Sequence, residues 1–123
     1  MGKTVLIVDD SSTMRQMVAY TLKGAGYEIV EAGNGKEAVS KLNGGAKPAL
    51  VITDLNMPEM DGITLIQEIR KMPAFKFTPI LMLTTESADD KKKAGQAAGA
   101  TGWIVKPFNP EQMLKVIQKV LPG

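Results

Sequence analysis

Five short apolar runs recur along the chain, at 4–9, 27–31, 49–53, 79–83 and 102–105. The first, third and fourth are almost continuously apolar, the pattern of parallel strands covered on both faces. Between these runs the apolar residues return at helical spacing. Met14, Met17, Val18 and Leu22 form one stripe, with Ser11 or Ser12 as N-cap and Gly24 or Gly26 near its end. A second helix is predicted from about Lys36 to Leu42, stopping at Asn43-Gly44-Gly45. A third carries Ile63, Leu65, Ile66 and Ile69 and then meets Pro73; the stretch from Met72 to Pro79 reads as an irregular loop. The fourth spans roughly Ala88 to Ala98 and ends at Gly99. The fifth opens at Asn109-Pro110, a cap and first-turn pair, and carries Met113, Leu114, Ile117 and Val120.

This alternation predicts an α/β fold. Five strand–helix units joined by right-handed crossovers make a doubly wound (βα)5 domain, a five-stranded parallel sheet with helices on both faces. A length of 123 residues with no internal linker or low-complexity tract predicts one domain over 1–123. Whatever this domain signals to is then expected to be another molecule.

Composition narrows the chemistry. A net charge of +2 is too small to argue for nucleic acid or an anionic membrane surface. No run is long and apolar enough to cross a bilayer. The N-terminus leads directly into a strand, and a cytoplasmic location is expected. The chain has no cysteine and no histidine. Thiolate and imidazole metal sites, serine triads and an internal phosphohistidine are thereby excluded.

The polar residues that close the apolar runs carry the candidate chemistry. Asp9 and Asp10 follow the first run, Asp54 the third, Thr84 the fourth and Lys106 the fifth. In an open parallel sheet the carboxyl ends of the strands form the ligand crevice. Any one of these residues alone reads as a turn, a cap or a solvated side chain. Ser11 and Ser12 already offer caps, so two adjacent carboxylates are redundant for that purpose. If the first and third strands are neighbours, three carboxylates converge. At about 4 Å each pair repels by roughly 4 kcal/mol at an effective dielectric near 20. Such a cluster calls for a cation or for proton uptake. A few carboxylates completed by water and a phosphate oxygen suit Mg²⁺; calcium wants more protein oxygens. Lys106, at a strand end in a crevice, is paired if it faces these acids. With the Thr84 hydroxyl it can hold phosphoryl oxygens.

Asp9-Asp10, Asp54-x-x-Met57-Pro58-x-Met60-Asp61-Gly62, Thr84 and Lys106-Pro107-Phe108 together resemble the receiver domain of two-component response regulators. The likeness spans essentially the whole chain. Within the family, Asp9 to Arg15 and Pro79 to Ser87 look most like stand-alone chemotaxis regulators of the CheY type. The resemblance implies the flavodoxin-like strand order 2-1-3-4-5. It implies Asp54 as phosphoacceptor, taking a phosphoryl group from a histidine kinase. It implies Mg²⁺ on Asp9, Asp10, Asp54 and the main-chain carbonyl of Asn56. Thr84 and Lys106 would hold the phosphoryl oxygens, and Lys106-Pro107 would be cis. The output face would be the fourth helix, fifth strand and fifth helix, with Lys91, Lys92 and Trp103, read by a flagellar motor switch protein or another target. A phosphatase is a further expected partner; nucleic acid and membrane are not. Trp103 stands where the family usually has tyrosine or phenylalanine.

Other readings fare less well. A haloacid-dehalogenase-like phosphatase needs a second acid two residues after its nucleophile, and here that residue is Asn56. A flavodoxin-like nucleotide binder needs a phosphate cradle after the first strand, where Asp9-Asp10 repel phosphate. A phosphorelay intermediate outside chemotaxis stays open as the alternative to motor control.

Overall fold

A computed structural model describes residues 3–55, 57, 59–84, 89–106 and 108–121, without the side chains of 89–91. The strands are β1 (Thr4–Val8), β2 (Glu28–Ala32), β3 (Leu50–Asp54), β4 (Ile80–Thr84) and β5 (Gly102–Val105). The helices are α1 (Ser12–Gly24), α2 (Gly35–Asn43), α3 (Gly62–Lys71), α4 (Asp89–Ala98) and α5 (Pro110–Val120). All strand pairs are parallel, in the order β2-β1-β3-β4-β5. The predicted fold class and strand order are both present.

Alternation along the strands divides the core in two. Leu6 and Val8 of β1 join Val51, Ile80 and Met82 against Leu65, Ile66 and Ile69 of α3. Val5 and Ile7 join Leu50, Ile52, Leu81 and Leu83 against Val18 and Leu22 of α1 and Met113 and Ile117 of α5. The apolar continuity of β1, β3 and β4 therefore has its expected cause: each strand is covered on both sides.

Caps set the helix starts. Ser11 accepts from the Met14 amide, Asp61 from Thr64, and Asn109 from Glu111 and Gln112. Capping of α1 thus falls to Ser11 and leaves Asp9 and Asp10 for other work.

Strand boundaries differ from the sequence expectation by one residue: β1 ends one early, and β2, β3 and β4 are each shifted one later at both ends. β1 stops at Val8 rather than residue 9: the Asp9 amide still donates to the Ala32 carbonyl, but the Asp9 carboxylate accepts from the Ser11 amide as the chain turns into α1. β2 starts one residue late, because the Tyr27 amide bonds Leu22 at the end of α1. β3 and β4 each run one residue further than predicted, so Asp54 and Thr84 are strand residues, not loop residues. The stretch after α3 is not wholly irregular: Pro73–Phe75 form a 3₁₀ turn that buries Phe75.

α4 is held differently from the other helices. Among its described side chains only Gly95 is buried, and a Cβ there would meet the Met82 side chain at 2.3–2.4 Å. Among its described residues, those that meet the core are small: Gly95 lies against Met82, and Ala98 packs on the cluster that holds Leu65, Ile66 and Ile69.

The loop after β3 holds a local strain. Glu59 has φ 67, and its ion pair with Lys36, at 3.1 Å, is two-thirds exposed on both sides. The left-handed conformation costs a β-carbon-bearing residue more than it costs asparagine, and an exposed pair offsets little. Glu59→Asn is expected to raise stability by about 0.5–1 kcal/mol, read as a higher urea midpoint with an unchanged slope.

Candidate functional site

Register brings the polar strand ends together. Val8 pairs with Thr53, which sets Asp9 level with Asp54. Asp54 pairs with Leu83 and Thr84 with Val105, so Thr84 and Lys106 follow on the next two strands. β1 and β3 flank the point where the chain switches from one face of the sheet to the other, and this is where a doubly wound sheet opens its crevice.

Asp9 and Asp54 are buried, at 1% and 6% exposure, whereas Asp10 is exposed. Carboxylate oxygens of all three lie within 4.8 Å of one another. At that separation each pair repels by about 3.5 kcal/mol at an effective dielectric near 20. Lys106 offsets part of this. Its amine lies 3.3 Å from Asp9 Oδ2 and 3.1 Å from Asp54 Oδ1. The amine is thus fixed on the two buried acids.

Each acid is also oriented by backbone. Asp9 Oδ1 accepts from the Ser11 amide at 2.9 Å, and Asp54 Oδ1 accepts from the Leu55 amide at 2.9 Å. Gly62 explains the Asp61-Gly62 pair in the sequence. A Cβ there would lie 2.3 Å from the Asp54 carbonyl oxygen and 2.9 Å from Leu55 Cα. Only glycine lets the start of α3 approach the backbone that carries Asp54.

The two partners of the Asp54–Lys106 pair shift for different reasons. Burial raises the Asp54 carboxyl above its ordinary range, against the downward pull of Lys106. Burial pulls the Lys106 amine down, but its bonds and charges with Asp54 and Asp9 outweigh that and raise it. Desolvation dominates at the acid, and pairing dominates at the amine.

The sequence-predicted residues Asp9, Asp10, Asp54 and Lys106 therefore meet at the strand ends, and register sets Thr84 at the end of β4, between Asp54 and Lys106. Asn56 and Pro107 lie outside the described residues, as does the side chain of Lys91. Trp103 is half-buried on β5, and Lys92 of α4 stands over its ring at 4.9 Å. Sequence reasoning missed one participant. Arg15 of α1 donates from Nη1 to the Asp9 carbonyl at 2.5 Å. Nothing in local pattern marks that contact, since the side chain reaches back across a turn.

Residues 5–118 match the response regulator receiver domain. The chain belongs to the response regulator receiver family. This receiver is 43% identical over 118 residues to the chemotaxis protein CheY1 of Helicobacter pylori, covering 95% of each chain. It is 38% identical over 118 residues to the CheY homolog of Campylobacter jejuni, covering 95% of this chain and 91% of that one. The solved structure of the chemotaxis response regulator CheY4 of Vibrio cholerae superposes with a TM-score of 0.93 at 51% identity, over 98% of this chain and 100% of that one. The receiver is a signalling domain of two-component systems rather than a conventional enzyme. Its acidic pocket offers a cation hard oxygen ligands only, since the chain contains neither histidine nor cysteine. Those donors fit Mg²⁺. Among the described residues no helix is long and apolar enough to cross a membrane.

Proposed function

We propose that this receiver accepts a phosphoryl group on Asp54 from the phosphohistidine of a kinase, and then binds a chemotaxis target such as a motor switch protein. The observation that carries this reading is the Lys106 amine bridging buried Asp9 and Asp54 at one end of the sheet. Both hydrogen bonds to the Asp54 side chain among the described residues fall on Oδ1. Oδ2 is left for attack on phosphorus: a P–O bond forms as the P–N bond to the histidine breaks, and the imidazole departs. Asp9, Asp10, Asp54 and the Asn56 carbonyl are the residues that would hold Mg²⁺. Bound there, the ion would supply neutralisation of charge developing on the transferred group. Lys106 and the Thr84 hydroxyl would each take a phosphoryl oxygen. The names of the relatives support chemotaxis as the pathway, and a cytoplasmic location belongs to the same reading.

The output would pass through α4, β5 and α5. Drawing the Thr84 hydroxyl toward the phosphoryl group opens space into which the Trp103 ring can settle. Lys92 over the ring opposes this by only about 0.5–1 kcal/mol, the worth of an exposed cation–π contact. The described residues of α4 that meet the core are small. Lys92, Lys115 and Lys119, with Lys91, would steer an acidic partner segment onto this face.

Trp103 is the only tryptophan, so its fluorescence reports the step. Beryllofluoride, a phosphoryl mimic, added to Mg²⁺-saturated protein is expected to reduce acrylamide quenching in wild type and not in Thr84→Ala. Unchanged access in wild type would show that Trp103 is not the moving part. Pull-down of a motor switch protein, as against a histidine phosphotransfer protein, separates motor control from a relay role.

A further inference from the structure

Every polar group of Asp9 is engaged. Its amide donates to the Ala32 carbonyl at 3.1 Å, continuing the ladder to β2. Its carboxylate takes the Ser11 amide and the Lys106 amine. Its carbonyl, the first half of the Asp9–Asp10 peptide, takes the Arg15 guanidinium. Asp10 hangs from that peptide and is the exposed member of the three acids. The peptide plane fixes the Asp10 nitrogen and so limits where the Asp10 carboxylate can point.

Arg15 is itself aimed by a second contact. Its Nε lies 3.1 Å from Glu31 Oε1, across the β2 edge. The Arg15 side chain is 20% exposed, so both contacts sit in a partly desolvated place where a two-bond fork is well defined. Glu31 is held from behind, since the Lys41 amine donates to its carbonyl. The Glu37 carboxylate accepts from the Gly33 amide at 3.1 Å and pairs with Lys41 at 3.4 Å. The line Lys41–Glu31–Arg15–Asp9 thus ties α2 and the end of β2 to the loop that carries two of the three acids.

A cation beside a cation site is a cost unless geometry repays it. By charge alone, Arg15 would weaken Mg²⁺ binding. We propose that Arg15, aimed by Glu31, is a positioning residue for the acidic pocket: it fixes the Asp9–Asp10 peptide so that the Asp10 carboxylate meets those of Asp9 and Asp54. This rests on the reading of Asp9, Asp10 and Asp54 as the Mg²⁺ ligands.

Three roles for Arg15 differ in sign. A charge role makes Mg²⁺ bind more tightly when the cation is removed. A purely architectural role lowers stability and leaves Mg²⁺ affinity alone. Positioning makes Mg²⁺ bind more weakly. The experiment is a MgCl₂ titration followed by amide NMR shifts, with urea unfolding of each metal-free variant alongside. Arg15→Met is expected to weaken Mg²⁺ binding about tenfold or more, the range seen when a partner that orients a metal ligand is lost. Arg15→Lys, which keeps the charge but not the fork, should weaken it as well, and it stands in if Arg15→Met fails to fold. Glu31→Ala, which removes the acceptor that aims Nε, should weaken binding in the same direction as the Arg15 variants. Affinity equal to or tighter than wild type in both Arg15 variants would overturn the positioning role while leaving the site reading intact. Wild-type binding that persists unchanged in Asp10→Asn would overturn the site reading, and the inference with it.

Discussion

Lys106→Met is expected to destabilise the metal-free protein at neutral pH by about 3 kcal/mol, the scale for removing one partner of a buried charge pair. The amine is 14% exposed and is bonded to two acids that are themselves buried, so its loss leaves Asp9 and Asp54 facing each other with no counter-charge from Lys106. The pH dependence follows from the raised lysine value. A cation stabilised in the fold contributes fully below its ordinary range, and that contribution is lost as pH rises through the raised value. The gap between wild type and Lys106→Met should therefore hold at neutral pH and close above the ordinary lysine range. Saturating Mg²⁺ should narrow it too, because the ion would supply the missing positive charge. Urea unfolding of both proteins, with and without Mg²⁺, reads all of this. Phosphorylation by acetyl phosphate should also slow by about 10²-fold, the worth of one preorganised donor at the transferring group.

Chelation of Mg²⁺ is expected to cut the initial rate of phosphorylation by about 10²-fold or more, since charge neutralisation at phosphorus is worth several kcal/mol. The same three carboxylates that repel one another in the metal-free protein are the ones that would hold the ion. Wild-type melting temperature should rise with Mg²⁺. The rise should shrink in Asp9→Asn and in Asp10→Asn, although each substitution also relieves repulsion and can itself raise the metal-free melting temperature. A rate indifferent to chelation, or equal Mg²⁺ shifts in all three proteins, would refute a cation site built from these acids.

Much of this was legible in residue order because the physics behind it is local. Apolar runs such as Thr4–Val8 and Ile80–Thr84 need cover on both faces, and only a parallel sheet between helices supplies it. The chemistry sits at the carboxyl ends of those runs, so Asp9, Asp54, Thr84 and Lys106 could be picked out before any geometry. What the sequence hid was contact between distant segments. The Tyr27 amide is claimed by Leu22 rather than by the sheet, which moves the start of β2. Phe75 is buried by a 3₁₀ turn that no periodicity announces. The Arg15 side chain bonds both the Asp9 carbonyl and Glu31 of β2, a residue sixteen positions further along the chain. Gly62 was visible as a motif letter, but its reason, a 2.3 Å approach to the Asp54 carbonyl, exists only in three dimensions.

Asp54 is expected to carry the phosphoryl group, and the direct measurement is to find it there. Wild-type protein is incubated with acetyl phosphate and Mg²⁺, the acyl phosphate is trapped by borohydride reduction, and the modified residue is mapped by mass spectrometry. One modified position, Asp54, is expected in wild type, and no modification in Asp54→Asn. Modification at Asp9, Asp10 or another acid in wild type, or undiminished labelling of Asp54→Asn, would contradict it.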